Sequence, residues 1–163
     1  MGLFKKAKER RKQRKEEIAK LNEARGELLA TTAAEYMGGY GDKKAGTGFG
    51  LLRFYKNQIE FESSPTCSSD AFTITTDKIS EINIEGKDDV SRRVTATRLI
   101  ALGVFALALK KKTQEKESYI TIELTDCQEV IFRNYISPME TKVMLTKATT
   151  HIRQCVAKTK DTL

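Results

Sequence analysis

From Phe49 onward the apolar residues of this chain fall at every second position, in short runs broken by turn residues. A side-chain period of two marks a strand with one buried face, and it rules out a helical bundle for most of the chain. Leu52 and Phe54, then Ile59 and Phe61, flank Lys56-Asn57-Gln58, which predicts a β-hairpin. Ser63–Asp70, containing Pro65, reads as a turn. Phe72 and Ile74 mark the next strand, and Ile82 and Ile84 the one after, ended by Gly86-Lys87-Asp88-Asp89. Val104–Leu109 and Tyr119–Leu124 are two more, joined by the polar tip KKKTQEKES. Asp126-Cys127-Gln128 then turns into Glu129–Tyr135. Several short strands with tight turns predict an antiparallel sandwich or partly open barrel.

One strong helix follows. Ser137, Pro138 and Glu140 form a capping box with proline at the first helical position. Leu145, Ala148, Ile152 and Cys155/Val156 recur at helical spacing with Met144 alongside, opposite Lys142, Lys147, Arg153 and Lys158. A one-sided helix after a run of strands is expected to cap the open end of the sheet. The fold class is therefore α+β, mainly β.

The N-terminus is different. Of 29 basic and 22 acidic residues, ten and four fall in residues 1–25, leaving 19 and 18 for the rest. The net charge of +7 thus belongs to an arm joined to a nearly neutral domain. Residues 3–30 read as helix, rich in helix formers and free of proline. Ile18, Leu21, Ala24 and Leu28 give a thin apolar stripe, too short for a long coiled coil. Residues 38–50, GGYGDKKAGTGFG, hold six of the ten glycines and read as a flexible hinge. The expected organisation is a basic helical arm over 1–37, a hinge over 38–47, a domain over 48–158 and a disordered tail over 159–163.

Several chemistries lack their residues. Cys67, Cys127 and Cys155 are scattered, which fits neither a disulfide framework nor a zinc finger. Each is expected to pack as a small apolar residue in a reducing compartment. The glycine-rich stretch leads into a strand and carries no G-K-[ST], unlike a phosphate loop. Charges run on to Arg25, so no secretory leader is expected. Leu99–Leu109 is too short to span a bilayer as a helix; it reads as a buried element, or as a loop at a membrane interface. His151 is the only histidine and lies within the C-terminal helix, without a nucleophile motif. Asp88-Asp89 lacks the pattern of a calcium loop.

The run Gly48-Phe49-Gly50-Leu51 into a hairpin, then Ile79–Glu85, then SRRVTATRLIALGVFALALKKKT over 91–113, then Tyr119–Leu124, resembles bacterial pleckstrin-homology-like domains. Such domains often occur in small proteins of bacteria and their phages. The resemblance covers roughly residues 46–157. It implies a binding or scaffold module rather than an enzyme, with protein contacts along a strand edge or beside the helix. Members that bind phosphoinositides use basic residues of the first hairpin loop. Here that loop supplies only Lys56, with Arg53 in the strand before it.

The expectation is a non-enzymatic cytoplasmic module without cofactor, metal or small-molecule substrate. Its partner is a protein or a second copy, met through the sheet edge, the C-terminal helix and the arm face Ile18, Leu21 and Leu28. Two alternatives use charge. Lys5, Lys6, Lys8, Arg10, Arg11, Lys12, Arg14 and Lys15, with Lys110, Lys111 and Lys112, would contact an anionic membrane, placing the protein peripheral to the inner membrane. The same arm residues could instead neutralise nucleic-acid phosphates without sequence specificity.

Overall fold

The structure, a computed structural model, describes residues 2–41, 48–64, 71–93 and 117–160, with side chains described for 9–41, 48–64, 71–90 and 117–159. Helix α1 spans Gly2–Arg25. Strands β1 (Leu28–Gly38), β2 (Phe49–Tyr55), β3 (Gln58–Ser63) and β4 (Ala71–Thr75) follow, then a 3-10 turn (Thr76–Lys78) and β5 (Ile79–Glu85). Helix α2 (Lys87–Arg93), β6 (Ser118–Leu124), β7 (Glu129–Asn134) and helix α3 (Pro138–Lys160) complete the order.

The seven strands make one antiparallel sheet in the order β4-β3-β2-β1-β7-β6-β5. The end strands do not pair with each other among the described residues, so the sheet is not closed into a barrel. Alternation does what it predicts. Leu52, Phe54, Ile59, Phe61, Ile74, Ile82, Ile120, Ile122 and Phe132 all enter one buried core. The rings of Tyr36, Phe61, Phe72 and Phe132 meet at centroid distances of 5.0–6.1 Å. Leu145, Ala148 and Ile152 of α3 enter the same core, fully buried. Burial of Leu145 and of Ile152 contributes roughly 1.5–3 kcal/mol each. The capping box forms as expected: the Glu140 N–H donates to Ser137 Oγ at 3.3 Å, and the Ser137 N–H donates to Glu140 Oε2 at 3.2 Å. The hairpin Leu52–Phe61 also forms, with Lys56 and Asn57 as its tip.

The N-terminal reading needs correction. The helix stops at Arg25 rather than near 30, and residues 28–38 are a strand paired to both β2 and β7. The domain therefore begins at β1, not at 48. Its sequence, LLATTAAEYMG, hides the alternation because small and polar residues take the inward places. Ala34 is fully buried, and the buried Thr32 hydroxyl accepts from Asn134 Nδ2 at 2.7 Å.

The glycine stretch is likewise no hinge between arm and domain. It follows β1, within the domain, and its described start is tied down. Tyr40 stacks on Phe72 at 4.8 Å, its hydroxyl donates to Thr73 O at 2.9 Å, and its N–H donates to the Tyr36 hydroxyl. Gly39, at φ +97, passes so near the β7 backbone that a Cβ would sit 1.8 Å from Glu129 O. The turn expected at 86–89 instead opens α2, where Asp88 and Asp89 occupy the favourable first turn and Val90 is buried. Helix α3 runs through Lys160, past the expected domain end at 158. The strand expected at Val104–Leu109, the apolar run Leu99–Leu109 and Cys67 lie outside the described residues, as do residues 161–163.

Candidate functional site

The basic arm is a helix because residues 2–25 contain strong helix formers and no proline. Its end is set by Gly26 at φ +74, whose N–H donates back to Asn22 O at 3.0 Å. Glycine at this position is the common helix stop, and it relieves the last carbonyls. Two further carbonyls of the last turn are met by the tip of the β2–β3 hairpin. Asn57 Nδ2 donates to Ala24 O at 2.9 Å, and the Asn57 N–H donates to Arg25 O at 3.0 Å. Asn57 O in turn accepts from the Thr76 N–H at 2.9 Å. One asparagine thus ties α1 to the sheet.

Side chains reinforce the joint. Arg25 pairs with Glu60 at 2.6 Å and lies over the Tyr55 ring at 5.4 Å. Glu27 accepts from Lys56 at 2.8 Å and from Lys147 of α3 at 2.7 Å. Hydrogen bonds from Lys147 and Lys56, aided by their charges, pull the Glu27 carboxyl down to about 2. His151 Nε2 lies 3.0 Å from Lys56 O and 3.6 Å from Cys155 Sγ. The only histidine therefore helps hold α3 to the hairpin tip. Cys127 sits at φ +66 in the β6–β7 turn and is exposed, which corrects its expected burial; Cys155 is half-buried.

Away from the joint, every residue from Glu9 to Ala24 is exposed. Lys12 approaches Glu16 at 3.9 Å, a solvent-screened pair. Arg10, Arg11, Arg14 and Lys15 make no ion pair or hydrogen bond among the described residues. Ile18 and Leu21 are 48% and 51% exposed. Leu28 is also 48% exposed but belongs to β1, opposite Tyr55, so the three do not share a helix face. Gly26 separates them. The side chains of Lys5, Lys6 and Lys8, and all of Lys110, Lys111 and Lys112, lie outside the described residues.

The sheet's outer face carries its own charges, already paired. Arg133 donates to Glu35 through Nε at 3.0 Å and through its terminal nitrogen, and the Tyr135 hydroxyl donates to Glu35 at 2.5 Å. Burial, then the hydrogen bond to Glu35, holds the Tyr135 phenol above its usual range. A groove of about 530 Å³ along β2–β4 is lined by Arg25, Arg53, Tyr55, Glu60, Glu62 and Thr73. Arg53 is taken up by Glu62 at 2.7 Å. Among the described residues, no three of His, Cys, Asp and Glu cluster to hold a metal ion, and no helix is long and apolar enough to cross a membrane. The functional residues missed from sequence are Gly26, Asn57 and Glu27. A basic last turn followed by glycine, Arg25-Gly26, was the available stop signal.

No family model matches the chain, and no curated protein matches it. Among solved structures, the C-terminal domain of an unknown protein from Leishmania infantum is similar. It shares 15% identity, covers 74% of this chain and 83% of its own, and superposes at a TM-score of 0.43.

Proposed function

We propose that this chain is a non-enzymatic binding module of the pleckstrin-homology-like kind, whose sheet and α3 form a body and whose α1 is an arm that contacts an anionic surface. One observation carries the reading. Among the described residues, a helix exposed on all sides from Glu9 to Ala24, with Arg10, Arg11, Arg14, Lys15 and Lys20 unpaired, meets the body at its base alone. An exposed helix gains little from packing, so the anchor at its base sets where its cations are held. The strand run and single terminal helix support the family resemblance. Retention on immobilised heparin tests the arm. The full chain should bind at low salt and elute as salt rises, while a chain lacking residues 1–24 should flow through. Equal retention of both would end this reading.

A second contact is favoured by α3. Met139 and Val143, one turn apart, are 77% and 72% exposed. Such a pair suits a protein partner or a second copy. Sedimentation of the full chain at rising concentration tests the second copy. M139K/V143K should abolish association, and a monomer throughout would remove that option.

A further inference from the structure

The charges of α1 are not spread evenly around its axis. At 100° per residue, Glu9, Glu16, Glu17 and Glu23 fall within an arc of about 120°. Lys20 lies inside that arc and Lys12 at its edge, whereas Arg10, Arg11, Arg14, Lys15 and Arg25 occupy the remaining arc with Ile18 and Leu21, and no acid interrupts it. Arg11 and Ile18 lie at its centre. Arg25, on this same face, is the residue taken up by Glu60 and Tyr55. From Tyr55 the outward side chains of β2 are Arg53, Leu51 and Phe49, of which Leu51 and Phe49 are 42% and 44% exposed. The unpaired cations are thus on α1, and beyond the joint the exposed Leu51 and Phe49 continue the row from Arg53, which Glu62 pairs.

We infer that the acid-free face of α1 docks on a bilayer containing anionic phospholipid. This inference rests on the reading of α1 as a contact arm and names the surface it meets. Lys and Arg at the level of lipid phosphates, with aliphatic side chains dipping beside them, is the chemistry of an interfacial helix. A polyphosphate chain satisfies the cations but offers nothing to Ile18 and Leu21. A second copy offers no acid on the same face. The four glutamates point away from the surface, so the docked helix keeps like charges out of contact.

Vesicle co-sedimentation of the full chain tests the inference. Vesicles of phosphatidylcholine with phosphatidylglycerol should carry the protein down, and phosphatidylcholine alone should not. Ile18→Gln with Leu21→Gln keeps the charge and the helix-forming character of both positions, and both side chains are exposed, so folding is spared. This variant should lose roughly tenfold in affinity for the anionic vesicles while keeping its retention on heparin. Full vesicle binding by the variant, or no vesicle binding by the parent chain with a salt-sensitive shift of duplex DNA, would overturn the lipid assignment and leave the contact arm standing. Loss of heparin retention by the parent chain would overturn both.

Discussion

Single residues carry the joints of this molecule. Gly39 packs against the β7 backbone at positive φ, where any side chain is strained and the Cβ would strike Glu129 O. Gly39→Ala is expected to cost about 3 kcal/mol or more, read as a shifted urea midpoint. An unchanged midpoint would mean that this crossing is loose. From sequence, the same glycine looked like a hinge residue, because composition alone does not distinguish freedom from close approach. Glu27 gives a pH dependence. Its carboxyl is lowered from 4.5 to about 2 by Lys147 and Lys56, so its contribution is complete above about pH 4.5 and is lost as pH falls toward 2. Glu27→Gln should flatten the acid side of the stability curve in that window. A curve of unchanged slope would show that the lysines do not discriminate its charge. Tyr119 acts at the other end: burial, then the Glu117 charge, raises it to about 12, so stability should decline as pH rises through 10 toward 12.

Among the elements, those with one clear period were legible. The β2–β3 hairpin and α3, with its Ser137–Glu140 box, stand where alternation and capping chemistry put them. β1 was not legible. Ala30, Ala33 and Ala34 favour helix, and only its two sheet neighbours decide otherwise. Joining it to α1 concealed the helix end at Gly26. The clasp on that end was also hidden, since Asn57 reads locally as an ordinary turn residue. Asn57→Ala removes the bond to Ala24 O but keeps the backbone bond to Arg25 O. It should cost about 1 kcal/mol locally, seen as roughly fivefold faster amide exchange at Gly26 and Asn57 with little change in global unfolding. Unaltered exchange there would show that the Asn57 side chain does not hold the helix.

At the scale of the whole molecule, charge and core are divided between separate parts. The net charge that the sequence concentrates in residues 1–25 resides on a helix that contributes nothing described to the core, while seven strands and α3 bury the apolar side chains. Removing residues 1–24 should therefore leave the thermal midpoint of the body within a few degrees of the full chain. The arm's value lies in where it is held. Residual dipolar couplings of backbone N–H groups measure this most directly. If the joint at Gly26 and Asn57 is fixed, couplings from residues 9–25 will fit the alignment tensor of the seven strands. An arm that needs its own, weaker tensor would contradict the account, because the cations would then hang from a free tether rather than stand on a fixed helix.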